Sequence, residues 1–446
     1  MQRRTFVKHS LAMTGGISMT SWLSDHSELT AQIEILNPRT RVPVSFIIDD
    51  STALVNLAYY GIPQFQEVFP ENYKQDWRSL PREIPDAFVD EFLDWCLDHG
   101  VKGKYSMVPF PACTGWLHRF IPGWTKKELE KSIRLIRDKA QPNWDIHPEM
   151  ISHTRVIDIK TGLPFSSATP EYMENWEWSQ HRSADELGEY IAYALQVLKD
   201  AELDCEGVTT PGGFASRNIP NLAKATQMAV QEVYGANVAH YFRNLVTSSN
   251  ESVVPQVSDG KNLDSNNANC SVHIIGCTGD WFGGWVGLTP GDPDRFITAD
   301  LSSGRMIEVI EAGEPAIMVC HWPGIYYNGD KLGFQIFQTV VTRLHEKYDH
   351  LHWMKLSEIA RYWAAKEYTS FRFSEEKIEV NAPFEAGDFT IKTSKLYQSP
   401  ELRHNGQSIS LTRVEKPLML SSNTWYSDGQ NTWLCFDLKK GKTILG

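Results

Sequence analysis

The run RVPVSFIIDD, Arg41 to Asp50, constrains the fold most. Val44, Phe46, Ile47 and Ile48 follow one another without polar alternation, a pattern that suits a strand covered on both faces. Further strand-like runs come at Val101–Phe110, from Trp144, at Gly207–Thr210, at SVHIIGCTGDW and at PAIMVCHW. Helical patterns separate them. Asp86–His99 repeats Phe88, Phe92 and Trp95 at helical spacing and stops at Gly100. Capping boxes TKKE (Thr125–Glu128) and SADE (Ser183–Glu186) open two more helices, the second carrying Leu187, Ile191, Leu195 and Leu198 on one face. Asn218–Gly235, Arg305–Ala312, Gln335–Tyr348 and Leu356–Glu367 read as helices as well. Strands alternating with helices predict an α/β fold with a parallel sheet, whose sites lie at the carboxyl ends of the strands. The aromatic stretch Leu57–Trp77 reads as an irregular rim, and Val246–Cys270 as a surface loop. From about Ser370 short alternating runs replace the helical pattern, which predicts a small all-β C-terminal module. The expected units are 1–30, signal and linker; 31–368, α/β; and 369–446, β-rich.

With 22% charged and 41% hydrophobic residues in 446, the composition is that of a globular protein. A net charge of -12 with no basic face argues against nucleic acid or an anionic membrane as partner. The N-terminal MQRRTFVK, with a short weakly apolar run behind it, resembles a twin-arginine export signal, which implies a periplasmic or extracellular destination. No later run is long and apolar enough for a membrane span. The seven cysteines are an odd number, so at least one thiol stays free, and Cys270 and Cys277 form the only close pair that could bridge.

Asp49 and Asp50 end the first strand, where one carboxylate can ligate a metal while the other serves as a base. His147 and His153 lie within one short loop after a strand of the same sheet. Two imidazoles and one carboxylate are a set that zinc accepts with a position left for water.

The order FIIDD, EMISHT, VTTPGG, TGDW and MVCHW, spread over Arg41 to Ala365, resembles the polysaccharide deacetylase superfamily of metal-dependent carbohydrate esterases. The resemblance implies a distorted (β/α) barrel of about seven parallel strands and the removal of acetyl groups from a carbohydrate. It assigns Asp49 as base, Asp50 as metal ligand with two histidines, and His321 as the acid that protonates the leaving group. Asp280 and Trp281 would position and tune that acid. Two departures stand out. Four residues after His153 the family's second histidine is replaced by Ile157, so His147 is expected to supply the other imidazole; and Thr209 stands where the family has an Arg that orients the base, a role left to Arg217 or to no residue. Trp281, Trp285, Pro211, Gly212 and Arg217 are the expected substrate-facing residues. The competing expectations are a hydrolase of the same barrel acting on another glycan or amide bond, and a metal-free carbohydrate-binding barrel without turnover.

Overall fold

The computed structural model describes residues 33–374 and 377–446; the twin-arginine-like segment and its linker lie outside them. Strand β1 (Val42–Asp49) is buried along its whole length. It is followed by α1 (Leu57–Val68), α2 (Asp86–Asp98), β2 (Gly103–Ser106), α3 (Lys126–Leu135), β3 (Trp144–His147), α4 (Ala184–Asp200) and β4 (Gly207–Thr209). Next come α5 (Ile219–Tyr234), β5 (Val238–Leu245), β6 (Gln256–Lys261), β7 (Asn269–Gly276), α6 (Arg305–Glu311), β8 (Ala316–His321), α7 (Leu332–Lys347), β9 (Leu351–Trp353) and α8 (Leu356–Tyr368). Both capping boxes form, at Thr125 and at Ser183. Gly235 ends α5 at φ 72°, a left-handed cap that costs glycine nothing.

The α/β alternation holds, but one closed ladder does not form. Parallel strands in the order β8-β1-β2-β3, with β9 on the first half of β1, make one sheet; β4-β5-β7 with antiparallel β6 make the other. Between the sheets the ladder is interrupted: β3 meets β4 through the single bridge Glu149–Thr209, and β7 meets β8 through the amide of Cys277 on the carbonyl of Ile317. Their inner faces share one apolar cluster in which Ile47 packs with Phe242, Val272, Ile274, Ile317 and Val319. The outer face of the first sheet carries helices, Phe46 stacking on Phe337 of α7 at 4.2 Å.

Two elements differ from expectation. Leu57–Val68 is a helix, because Ala58 and Ile62 bury against Leu80 and Val286 and the packing overrides Gly61 and Pro63. The presumed surface loop contains β6, which pairs with β7. From Ser370 onward the chain runs in two five-stranded sheets, one of which takes its edge strand from Ile33–Ile35. Among the described residues no helix is long and apolar enough to cross a membrane, and Cys270 and Cys277 are both free and buried.

Candidate active site and cation-binding centre

Register builds the site. Parallel neighbours in register point the same way, and His321 at the end of β8 pairs with Asp49 at the end of β1. Phe46 and Ile48 face the helices, so Ile47 and Asp49 face inward, and Lys104 of β2, in register with Ile47, faces inward with them. The fully buried Lys104 ammonium donates to Asp49 Oδ1 at 2.5 Å, to Ser106 Oγ at 2.6 Å and to the Ile48 carbonyl at 2.9 Å. Burial raises the Asp49 carboxyl to about 6, against the pull of Lys104 and with the push of Glu149. A carboxyl so placed is a base poised near neutrality. Lys104 thus supplies the cation expected of Arg217, whose guanidinium pairs with Glu177 at 2.6 Å on the surface.

Asp50 leaves the strand at φ 57°, and His153 stands at φ 66°; Asp and His are among the few residues that take this region readily. The Asp50 amide donates to Glu149 Oε2 at 2.8 Å. His153 Nε2 lies 2.6 Å from Asp50 Oδ1 and 3.4 Å from Glu149 Oε1. All three side chains are buried and their donor atoms lie within 4.8 Å of one another. His147 is not among them. It alternates with Ile146 on β3 and so points between the sheets, where its Nε2 meets His240 Nε2 at 2.9 Å; Glu149, past the end of the strand, takes the place expected of it. Ile157 donates its amide to the Tyr190 hydroxyl and ligates nothing.

The loop that presents His153 is held by Glu174, which is fully buried. Its carboxylate accepts the amides of Ile151 at 3.1 Å, Ser152 at 3.1 Å and His153 at 2.6 Å, and the Tyr190 hydroxyl at 2.5 Å. Burial raises its carboxyl to about 7. The turn at Pro211 and Gly212 docks on the next residue: the Gly213 amide donates to the Asn175 carbonyl at 2.6 Å, and a Cβ on Gly212, at φ 44°, would meet the Asn175 side chain at 3.0 Å.

Whether the residues fit a cation can be tested on the structure. Asp50 Oδ1 is buried 2.6 Å from His153 Nε2 without a well-aligned hydrogen bond between them, which leaves both atoms able to share an ion. The carboxyls of Asp49, Asp50, Glu149 and Glu174 are buried with one fixed ammonium, Lys104. Burial works against charge on His153, but Asp50 and then Glu149 outweigh it and raise its pKa well above the ordinary value. Burial likewise opposes the Glu149 charge, and His153 and Lys104 hold that carboxyl low. A proton on His153 therefore balances a centre with excess negative charge, and a divalent cation would displace it. The set fits.

Across from Asp49, His321 Nδ1 lies 2.8 Å from Asp280 Oδ2, which fixes the ring and turns Nε2 to the cleft. Its side chain keeps 30% exposure, enough to touch a substrate. Burial opposes its charge, while Asp50, Asp280 and Asp49 hold it at about 10. Trp281 packs on Phe296 under the Arg295 guanidinium, 4.2 Å from its ring centre. Trp285 belongs to an aromatic wall with Phe65, Tyr73 and Trp176, in which Phe65 stands 6.4 Å from the His153 ring.

No protein-family model and no curated protein matches the chain. Solved structures do. One is a probable polysaccharide deacetylase from Pseudomonas aeruginosa, 11% identical, covering 75% of this chain and 93% of its own, with a TM-score of 0.37. Another is an allantoinase, 11% identical over the same shares, TM-score 0.39. A third is a CE4 family pseudoenzyme from Bacillus anthracis, 10% identical, covering 72% of this chain and 66% of its own, TM-score 0.31. The likeness is to polysaccharide deacetylases and proteins shaped like them. At this similarity it assigns no role to any residue, and the chemistry rests on the chain's own geometry.

Proposed function

We propose that the protein is a metal-dependent hydrolase that removes acetyl groups from a carbohydrate. The observation that carries this reading is the pairing of a buried carboxylate, Asp49, with an imidazole, His321, on adjacent parallel strands beside the donor set of Asp50, Glu149 and His153. Two titratable groups held apart in pKa on neighbouring strands serve as base and acid. Asp49 takes the proton of the attacking water while Lys104 fixes the carboxylate from below. His321 gives a proton from Nε2 to the departing amine or alcohol, and Asp280 holds its other nitrogen. Asp50, Glu149 and His153 would hold the cation, and Glu174 keeps the His153 loop in place. A bound divalent ion supplies Lewis acidity and lowers the pKa of water. Zinc is the ion proposed, since three protein ligands with an open position are its usual catalytic arrangement.

The aromatic wall of Phe65, Tyr73, Trp176 and Trp285 supports a sugar substrate, because the apolar faces of pyranose rings stack on such surfaces. The twin-arginine-like N-terminus supports export of the folded, metal-loaded protein. The deciding experiment follows acetate release from acetylated chitooligosaccharides and acetylated xylan by the zinc-loaded protein and by Asp49→Asn. Release by the wild type and its loss in the variant are expected; equal turnover in both overturns the assignment of the base. No acetate from either substrate, with allantoin or another amide hydrolysed instead, would move the chemistry to a different bond.

A further inference from the structure

A second cluster of donors lies between the two sheets, apart from the one at the cleft. Asp145 and His147 alternate with Ile146 on β3 and share the inward face; His240 reaches them from β5 of the other sheet. The three side chains are buried and their donor atoms lie within 4.8 Å of one another. Two of the three are oriented from outside the cluster, and the third, His240, has its Nδ1 buried without a partner. The carboxylate of Asp145 accepts the Ser357 amide at 2.6 Å and its hydroxyl at 2.8 Å, at the start of α8. His147 Nδ1 stands 3.2 Å from Thr209 Oγ1, which leaves Nε2 for the centre of the cluster. His240 Nε2 faces it at 2.9 Å and lies 3.9 Å from Asp145 Oδ2.

We infer that Asp145, His147 and His240 form a structural site for a divalent, zinc-like cation that clamps the two sheets together. Three Lewis-basic atoms converge there, and two of them are ring nitrogens set against each other, an arrangement that one shared proton satisfies only in part and a cation satisfies for all three. Beside both nitrogens the chain carries Gly207, where a Cβ would come within 2.5 Å of His240 Nε2 and 2.6 Å of His147 Nε2. The space next to the ring nitrogens is therefore kept clear of side chain. The cluster borders solvent on one side: a cavity of about 600 Å³ at the amino-terminal end of the strands is lined by Asp145, Glu206, Lys355, Ser357 and Arg361. Water from that cavity can complete the coordination.

The position gives the clamp its purpose. Backbone pairing between the sheets is interrupted where β3 meets β4: among the described residues the Glu149–Thr209 bridge is all that joins the two strands' backbones. An ion on Asp145, His147 and His240 spans that seam from β3 to β5, over β4. Asp, His and His are also the set expected at the cleft from the sequence; the structure assembles it one layer below, from a partner on a strand that the sequence pattern did not reveal. No acid or base of the cleft touches it, so this inference stands or falls apart from the proposed hydrolysis.

The test counts metal. Full-length protein is loaded with Zn²⁺, dialysed, and analysed by inductively coupled plasma mass spectrometry, beside His240→Gln and the double variant Asp50→Asn/Glu149→Gln. Two zinc ions per chain are expected in the wild type, one in His240→Gln and one in the double variant. A wild type with one ion that His240→Gln retains, or with none, overturns the inference. Should His240→Gln fail to fold, the double variant still decides the matter: its Tm is expected to fall by several degrees when a chelator removes the remaining ion. A double variant with no zinc, and a Tm indifferent to the chelator, has no structural site.

Discussion

Lys104→Met removes the buried ammonium beside Asp49 and keeps nearly the same volume. At an effective dielectric of about 20, unit charges 2.5 Å apart attract by about 6–7 kcal/mol, most of which offsets the cost of burying them. Deleting one partner leaves the other buried and unpaired, at a cost of about 3–5 kcal/mol. The Asp49 side chain keeps 9% exposure, too little for water to screen the loss. The carboxyl can escape by taking a proton, and that fixes the sign of the pH dependence. Its folded pKa, about 6, already lies above the ordinary 3.8, so the wild type loses stability as pH rises through this window and loses no more from this group above it. Without Lys104 the folded pKa moves higher, and the loss continues at about 1.4 kcal/mol per pH unit. Urea unfolding in chelator at pH 5 and pH 8 measures it: the cost of Lys104→Met should be larger at pH 8 by about 2 kcal/mol or more. Adding Asp49→Asn should recover most of the pH 8 cost. A penalty below about 1 kcal/mol at pH 8, or one that is equal at both pH values, would refute the ion pair as a buried one.

Three other changes test separate parts of the structure. Glu174→Gln puts an amide NH₂ where a carboxylate oxygen accepts the Ser152 and His153 amides; a loss of about 2–3 kcal/mol in urea unfolding and a 10- to 100-fold weaker cation affinity by titration are expected, and unchanged affinity would mean the loop holds without it. Asp280→Asn removes a charge that keeps the His321 proton on; since an acid works only below its pKa, the alkaline limb of the kcat/KM profile should move down by about 1–2 units. An unmoved limb would assign the acid to another group. His273 is buried with neither ring nitrogen partnered and is stacked on Tyr241, and burial, with help from Arg243, lowers its pKa to about 4. The unfolded chain takes that proton first as pH falls below about 6.5, which costs the folded protein up to about 3 kcal/mol by pH 4, so His273→Phe should gain stability in acid and little at pH 8; equal gains at both pH values would remove titration as the cause.

What the sequence made legible follows from how local the signal is. The unbroken run ending at Asp49, the capping boxes at Thr125 and Ser183, and the order of acid and imidazole along the chain each need only a few consecutive residues, and each is present in the structure. Other features depend on what a strand faces. VAHYFRNL mixes His, Tyr and Arg with apolar residues and shows no apolar run, yet Val238–Leu245 is a central strand: on its inner face Val238 and Phe242 join the apolar cluster while His240 between them meets His147. Lys104 was hidden for the same reason: a lysine within a strand reads as an edge residue until a carboxylate in the neighbouring strand is seen to meet it. Glu149 was missed because the pattern sought at that place was an imidazole.

The two histidines of one short segment show why spacing alone could not assign them. His147 ends β3, where alternation is strict, so the same period that turns Ile146 toward the helices turns His147 between the sheets. Pro148 then ends the strand, and beyond it His153 is free of the alternation: its left-handed backbone and the three amides gathered on Glu174 aim the ring at Asp50. Asp49 and Asp50 part in the same way, one still within the strand and facing Lys104, the other just past it at φ 57° and facing His153. On both strands the change of partner coincides with the end of the strand. The end of the ladder, more than the identity of the residues, decides which side chains serve the cleft and which serve the layer beneath it.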